Sequence, residues 1–161
     1  MIQRLASTFL IWRLDYCNST LAGLPACELA PLQRVLHAAI RLVAGLGPRN
    51  HVKESMKDLH WLLIAHRIKF KLCKLMHGAI IDQGPTSIRD LLVLVADMQG
   101  RTRLRSAAAG FYDIPFIRTQ FGRRAFSVAA PSEWNSLSVN IRQIPDFRQF
   151  KRALKYHYFT E

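Results

Sequence analysis

The chain has 161 residues, of which 50% are hydrophobic and 21% charged, a composition that predicts a folded globular domain and excludes intrinsic disorder. Its 23 Lys and Arg outnumber 11 Asp and Glu, for a formal net charge of +12. A polyanionic partner is therefore expected, nucleic acid before an anionic membrane, unless the charge only solvates the surface. The odd cysteine count, the absence of a Cys-X-X-Cys pair and apolar runs shorter than the ~18 residues of a membrane span favour an intracellular, non-secreted protein.

The first third of the chain predicts two helices. Residues 2–22 read as a mostly apolar helix that ends at Gly23 and Pro25. A second, amphipathic helix ends at Gly45, because apolar residues recur at intervals of three and four. These residues are Leu29, Leu32, Leu36, Ala39 and Val43, and the opposite face carries Arg34, His37 and Arg41.

The middle of the chain holds the strongest helical pattern. A short helix over 51–59 precedes a long one over 61–81. The long helix has an apolar face of Trp61, Ile64, Ile68, Leu72, Leu75 and Ala79, and basic residues at Arg67, Lys69, Lys71 and Lys74. Gly84 and Pro85 end the pattern, and Thr86 or Ser87 is expected to cap a further helix. That helix would carry Ile88, Leu91, Leu92 and Val95.

Residues 99–120 change character, because Arg101, Arg103 and Arg105 alternate with smaller residues at a strand-like period. Residues 111–115 also read as extended, since the residue before a proline avoids the helical region. A helix over 122–130 is expected to end at Pro131. The last helix, over 146–159, has an apolar face of Phe147, Phe150, Leu154 and Tyr158 beside Arg148, Lys151, Arg152 and Lys155.

Together these patterns predict a mainly α fold, a basic amphipathic helix bundle with a short β-hairpin as an option near residues 100–120. Residues 1–98 form one helical region. Residues 99–161 form a basic region with the terminal helix, and the two regions are expected to pack as one domain.

Catalytic patterns are missing from the sequence. It has no adjacent acidic pair, no Gly-rich phosphate loop and no nucleophile elbow, so neither an enzyme nor a bound cofactor is expected. Asp15 stands alone, and we expect it to cap a helix or to pair with an arginine. Cys73 and His77, four residues apart, supply half of a zinc site, and core packing is the preferred interpretation.

Basic residues are the candidate ligands for nucleic acid, because Lys and Arg neutralise phosphates without reading the base sequence. Trp61 and Trp134 could stack on bases, but large aromatic residues at helical spacing are more often core. The same holds for Phe147, Phe150 and Tyr158. The candidate binding residues are Arg34, Arg41, Arg67, Lys69, Lys71, Lys74, Arg101, Arg103, Arg105, Arg123, Arg124, Lys151, Arg152 and Lys155.

Five segments occur in a fixed order along residues 10–160. They are Arg13-Leu-Asp-Tyr-Cys-Asn-Ser19, Leu32-Gln-Arg-Val35 with Ala38-Ala-Ile-Arg-Leu-Val43, Leu59-His-Trp-Leu62, Arg67-Ile-Lys-Phe-Lys71, and Phe121-Gly-Arg-Arg-Ala-Phe-Ser-Val-Ala-Ala-Pro131 followed by Trp134-Asn-Ser-Leu137. In this order they resemble the C-terminal region of reverse transcriptases from LINE-type (non-LTR) retrotransposons, of the jockey and chicken-repeat kind.

The resemblance implies a role without catalysis. In that family the region follows the polymerase core, so residues 1–98 would be thumb-like and residues 99–161 a post-polymerase tail. The implied partners are RNA, DNA or their hybrid, together with the absent polymerase core, which would use Mg²⁺. The chain would then be a fragment within a nuclear or cytoplasmic ribonucleoprotein, with no membrane partner.

The chain also departs from the family pattern. Leu63 stands where proline is common, Arg123 stands where an acidic residue is frequent, and residues 80–87 match poorly. Two alternatives therefore stay open. One is a decayed, orphaned fragment without activity, which exposed apolar surface on the first helix would favour. The other is an independent helical module that docks a protein or an acidic membrane surface.

Overall fold

The computed structural model describes residues 7–100 and 110–160. In these ranges the predicted mainly α fold is confirmed, since helices dominate and the β-pairing consists of one isolated bridge. The α-helices are α1 (Trp12–Asp15), α2 (Ala26–Ala44), α3 (Lys53–Asp58), α4 (Ile64–Ile80), α5 (Thr86–Arg89), α6 (Phe126–Ser136), α7 (Val139–Arg142) and α8 (Phe147–Thr160). A π-helical turn spans Ser7–Ile11, and 3₁₀ turns span Asn18–Leu21, Val95–Asp97 and Gly122–Arg124. None of the helices in the described ranges has the length and apolar character needed to span a bilayer.

The helix predicted over 2–22 is wrong in its described part. A π-helical turn leads into α1, and the helical path is interrupted at Cys17, whose φ of 50° lies in the left-handed region. Polar side chains favour this break because they compete for backbone hydrogen bonds. The Thr20 hydroxyl donates to the Cys17 carbonyl at 2.7 Å, and the Asn18 amide reaches the Asp15 carboxylate at 3.4 Å.

The second predicted helix is confirmed as α2, which begins slightly earlier than its apolar stripe. Leu36 and Ala39 are buried, as the three-and-four spacing indicates. The helix ends at Gly45, whose φ of 64° suits glycine because a Cβ is disfavoured in the left-handed region. The Leu46 amide then donates to the Arg41 carbonyl at 2.9 Å and satisfies one terminal acceptor.

Helix α4 is the centre of the fold. It packs against α2, α5, α6, α8 and the Asn18–Leu21 turn. Its predicted apolar face is confirmed, with Leu75 half-buried and the rest buried, and Trp61 lies buried just before the helix. The short helix α3 also falls within its predicted range.

The hydrophobic core draws on both predicted regions of the chain. Ile40 of α2, Leu72 of α4, Trp134 of α6 and Phe150 of α8 are all buried in one cluster. Helices α2 and α4 thus share their apolar faces with α6 and α8.

The segment after α4 differs from its prediction. The helix expected to carry Val95 stops after one turn as α5, and Val95 lies in a separate 3₁₀ turn. Pro85 occupies the capping position and no side chain caps the helix, so the expected cap by Thr86 or Ser87 is wrong. Leu91 is exposed. Helices in proteins are stabilised mainly by packing of an apolar stripe, and without that packing at Leu91 the helix α5 does not continue.

The β-hairpin is not formed by the described residues 110–120, and residues 101–109 lie outside the described ranges. Tyr112 instead makes an isolated antiparallel bridge with Leu94. The Asn135 side chain acts as a second partner, because its amide donates to the Tyr112 carbonyl at 2.8 Å and accepts from the Tyr112 amide at 3.0 Å. An amide side chain therefore satisfies groups that a second strand would otherwise pair.

The helix predicted over 122–130 is wrong at both ends. Gly122–Arg124 is a separate 3₁₀ turn, and α6 begins only at Phe126. Pro131 lies inside α6, is buried, and removes one hydrogen bond to the carbonyl of Ser127. Burial of Val128, Pro131 and Trp134 in the core offsets that loss, so the helix continues past the proline.

The last predicted helix is confirmed as α8. The Asp146 carboxylate accepts a hydrogen bond from the Gln149 amide at 2.7 Å, which caps the first turn. Phe150, Leu154 and Tyr158 are buried, while Phe147 is half-buried. The stripe is therefore packing surface, as the sequence predicts.

Candidate nucleic-acid interface

The basic residues of α4 divide between two sides of the helix. Arg67, Lys71 and Lys74 are spaced by four and three residues and share one side. Lys69, two positions after Arg67, points to the opposite side. The side that carries Arg67 lines a cavity together with Lys155 of α8.

Lysines of α4 and α8 face one another closely enough to interact. Burial lowers the pKa of Lys74, and the charges of Lys71 and Lys151 lower it further. Burial also lowers the pKa of Lys155, with a smaller contribution from Arg67. We call these five residues, Arg67, Lys71, Lys74, Lys151 and Lys155, the basic groove.

The arginine of the basic groove has a structural partner. Arg67 donates from Nε to Oδ1 of Asp15 at 2.8 Å, and from its terminal nitrogen to Oδ2 at 2.6 Å. Its side chain is only 11% exposed. The expected pairing of Asp15 with an arginine is thus confirmed, and this bidentate pair ties α1 to α4.

None of the four lysines of the basic groove forms an ion pair with a described acidic residue, although the charge of Asp15 has a small opposing effect on the pKa of Lys74. The Lys151 ammonium lies 4.8 Å from the centre of the Phe147 ring, and that of Lys155 lies 5.9 Å from the Phe159 ring. Aromatic faces attract the ammonium groups without neutralising them. Their charge therefore remains available to an external anion.

The cavity in the basic groove has a volume of about 420 Å³, within the usual range for ligand sites. Its polar lining includes Lys71, Lys74, Lys155 and the Arg67–Asp15 pair, and Trp12 and Phe70 add aromatic walls. Asp15 is the one carboxylate among the described residues that line it. The site can thus hold an anionic group beside an aromatic one.

Lys69 belongs to a different network. It pairs with the Glu133 carboxylate at 3.3 Å, and the Tyr158 hydroxyl donates to the same carboxylate at 2.9 Å. The Cys73 thiol lies 3.7 Å from that hydroxyl. Burial raises the pKa of Cys73 to about 12, so the thiol is neutral and unreactive.

Two candidate arginines donate hydrogen bonds to backbone carbonyls elsewhere in the chain. Arg124 donates to the carbonyls of Thr20 at 3.0 Å and Ala22 at 3.2 Å, which attaches the turn before α6 to the N-terminal part of the chain. Arg123 is exposed and donates to the Ile117 carbonyl at 3.3 Å. A Cβ at Gly122 would collide with the Ile117 side chain, which accounts for a glycine at this position.

The remaining candidates lie apart from the cavity of the basic groove. Arg34 is exposed and Arg41 half-buried, both on α2, and Arg152 is exposed on α8. None of the three lines that cavity. Arg101, Arg103 and Arg105 lie outside the described residues.

Within residues 7–100 and 110–160, no three His, Cys, Asp or Glu side chains are arranged to hold a metal. Cys73 and His77 are both buried in the core. The His77 ring stacks on Phe150 with centroids 4.0 Å apart, and its Nε2 donates to the Ile144 carbonyl at 2.7 Å. The preference for core packing over metal binding at this pair therefore agrees with its surroundings.

A larger cavity of about 590 Å³ lies on the opposite side of α4. Its walls are mainly apolar, from Leu24, Ile68 and Val128, and Phe116 stands exposed at its edge. The cations among the described residues of its lining are Lys69, whose ammonium pairs with Glu133, and Arg123. The described lining of this cavity is therefore less cationic than that of the basic groove.

Trp12 was not identified from the sequence as a candidate site residue. It is 75% exposed and lines the basic groove, whereas Trp61 and Trp134 are buried as predicted. The signal was the aromatic spacing of Phe9, Trp12 and Tyr16 in a segment interpreted only as an apolar helix.

No family model, curated protein or solved structure matches this chain.

Proposed function

We propose that this chain is a non-catalytic nucleic-acid-binding fragment that holds RNA, DNA or their hybrid by the phosphate backbone. The observation that carries the proposal is that Lys71, Lys74 and Lys155 of α4 and α8 line one cavity, with Lys151 close enough to act on the charge of Lys74. None of the four forms an ion pair with a described acidic residue. The charges of Lys71 and Lys151 repel that of Lys74 and contribute to lowering its pKa, and a bound phosphate relieves that repulsion. Because lysine contacts phosphate and not base edges here, binding tolerates any base sequence.

The resemblance to the C-terminal region of LINE-type reverse transcriptases supports the same proposal from the sequence. On that interpretation α2 and α4 belong to a thumb that follows the polymerase core, and the basic groove holds the phosphate backbone of a nucleic-acid strand. The polymerase chemistry and its Mg²⁺ would belong to the absent part of the parent protein.

A salt series with matched charge variants tests the proposal. The groove variant carries Lys71→Gln, Lys74→Gln, Lys151→Gln and Lys155→Gln. The control variant carries Arg49→Gln, Lys53→Gln, Lys57→Gln and Arg118→Gln, all exposed and away from the groove cavity. Each variant removes four positive charges from the same net charge of +12. Any difference between them therefore reports where the charge lies and not how much there is.

We expect a fluorescent RNA–DNA hybrid to bind the wild type at micromolar or lower concentration. The affinity should fall with salt at a logarithmic slope that includes about −3 to −4 from the four groove lysines, at roughly −0.9 per neutralised phosphate. The groove variant should lose that part of the slope, and the control variant should keep it. Equal binding by the two variants, or no binding by folded wild type, would overturn the proposal.

A second candidate has one observation in its favour. Phe9, Trp12 and Tyr16 are each at least 70% exposed near the N-terminal end of the described chain, and exposed apolar surface is expected of a fragment whose natural partner is lost. Such an orphan would show no salt-sensitive binding. The membrane-docking alternative has less support, because the apolar face of α8 is buried in the core and unavailable to lipid.

A further inference from the structure

Only one of the three tryptophans reaches solvent. Trp61 and Trp134 are 6% and 3% exposed, whereas Trp12 is 75% exposed. Its neighbours Ile11 and Leu14 pack against the core and hold the turn in place. The Tyr16 amide donates to the Trp12 carbonyl at 3.0 Å, so the backbone of α1 is also fixed. The indole is thus presented outward from an ordered support.

The indole lies beside the lysines of the basic groove. Trp12, Lys71, Lys74 and Lys155 line the same cavity of about 420 Å³. Asp15, the one carboxylate in that described lining, is occupied by Arg67 through two hydrogen bonds. The surface around the indole is therefore apolar in one part and cationic in the next, and the one carboxylate of the described lining is paired with an arginine.

An aromatic face next to a row of cations matches the chemistry of an unpaired nucleotide. Its base offers a π-face for stacking, and its phosphate is an anion for the lysines. A base inside a duplex is already stacked on both sides and presents only its edges. We propose that Trp12 is a base-stacking residue and that the basic groove takes single-stranded nucleic acid, with one base on Trp12 and the flanking phosphates on the lysines.

This inference rests on the proposed phosphate binding and adds the identity of the strand. Charge complementarity decides the occupant, because an apolar protein partner for Trp12 would have to desolvate Lys71, Lys74 and Lys155 in the same cavity. The phosphates of a nucleic acid neutralise these cations instead.

The test uses the full chain, a fluorescent single-stranded oligouridylate and a fully paired RNA–DNA hybrid of equal length. Trp12→Leu keeps the apolar character but removes the π-face, and Trp12→Phe keeps a smaller ring. Phe116→Leu is the matched control, because Phe116 is also an exposed aromatic residue but lies at the edge of the other cavity. Far-UV circular dichroism establishes that each variant is folded.

Tryptophan fluorescence supplies a second readout that depends on Trp12. Bases that stack on an indole quench its emission. Of the two buried tryptophans, Trp61 also lines the cavity but is only 6% exposed, and Trp134 is 3% exposed and does not line it. Oligouridylate should quench the emission of the wild type and of Phe116→Leu. Trp12→Leu should lose most of the quenching, because the remaining cavity-lining indole, Trp61, is only 6% exposed. An acrylamide titration should show that the remaining emission of this variant is protected from solvent.

Trp12→Leu should bind oligouridylate roughly 5- to 150-fold more weakly than wild type, the usual range for loss of one stacked base. Trp12→Phe should fall between the two. Binding of the hybrid by Trp12→Leu should change less than twofold. If Trp12→Leu binds oligouridylate like wild type, or loses hybrid binding to the same extent, the stacking inference is wrong while phosphate binding stands. If the groove variant binds both ligands as well as the control charge variant does, phosphate binding itself is wrong and the inference falls with it.

Discussion

Replacing Phe150 of α8 by alanine should destabilise the whole domain. The Phe150 side chain is 0% exposed, and its ring centroid lies 4.0 Å from that of His77 and 5.6 Å from that of Trp134. Burial this complete leaves little room for the surroundings to collapse around the missing ring. We therefore expect a loss of about 3–5 kcal/mol in the free energy of unfolding, the usual cost of a buried Phe→Ala change.

Chemical denaturation measures that loss directly. Urea unfolding followed by far-UV circular dichroism and by tryptophan fluorescence should give coincident, single transitions, since α8 shares one core with α4 and α6. The melting temperature of Phe150→Ala should fall by roughly 6–20 °C, at about 2–4 °C per kcal/mol for a chain of this size. Trp134 reports the site, because its indole is adjacent to the substituted ring.

Tyr156→Ala is the matched control on the same helix. Tyr156 is exposed, so its loss should change the free energy of unfolding by no more than about 0.5 kcal/mol. A Phe150→Ala variant that loses less than 1 kcal/mol, or that unfolds in two separate steps, would refute the description of α8 as part of one shared core. An absent transition in the wild type would support the orphaned-fragment alternative instead.

Three further perturbations test other contacts. Burial lowers the pKa of His77 from its ordinary 6.5, so the unfolded chain takes up a proton before the folded chain as the pH falls below that value. Thermal melts should therefore show stability falling as the pH drops from about 6.5 to 5. The fall should be smaller in His77→Gln. Asp15→Asn weakens the two charge-assisted hydrogen bonds to Arg67. Because Asp15 is partly exposed, urea denaturation should show a loss of about 1 kcal/mol in the free energy of unfolding, and this loss should shrink at high salt. A loss that does not depend on salt would contradict this expectation. Tyr158→Phe removes the hydroxyl bonded to Glu133; urea denaturation should register a loss of about 1.5–3 kcal/mol, and a neutral result would show that the bond contributes nothing net.

The pH dependence of His77 has a specific structural cause. Because Nε2 donates to the Ile144 carbonyl, Nδ1 carries a lone pair, and it has no hydrogen-bond partner among the described residues. A proton on Nδ1 would be a buried donor without an acceptor, between the rings of Phe147 and Phe150. His37, whose pKa is also lowered by burial, is half-buried, so His37→Gln should leave most of the slope in place.

The long helices could be predicted because their sequences repeat at the helical period. The apolar residues of α2, α4 and α8 recur every three or four positions, and each of those stripes is buried or half-buried. Gly45 at the end of α2 and Asp146 at the start of α8 act through local backbone geometry, which the sequence also encodes. Periodicity and capping involve residues that are neighbours along the chain, so they can be recognised in the sequence without knowledge of the tertiary structure.

The sequence-based predictions were wrong or incomplete where residues distant in the chain decide the local structure. Pro131 remains inside α6 because its burial in the core offsets one lost hydrogen bond. Within the described residues 110–120 no hairpin forms, and the Asn135 side chain pairs with the backbone of Tyr112. Neither compensation is visible in a window of neighbouring residues, because each depends on a contact made by folding.

The sequence by itself determined that the surface is strongly basic and that most basic residues lie on helices. It could not determine which of them are free, because pairing depends on three-dimensional distance. Folding brings Asp15 to Arg67 and Glu133 to Lys69, and among residues 7–100 and 110–160 it pairs no acid with Lys71. The tertiary structure alone decided that the free lysines of α4 and α8 meet in one groove, since helix packing and not chain order sets which faces oppose.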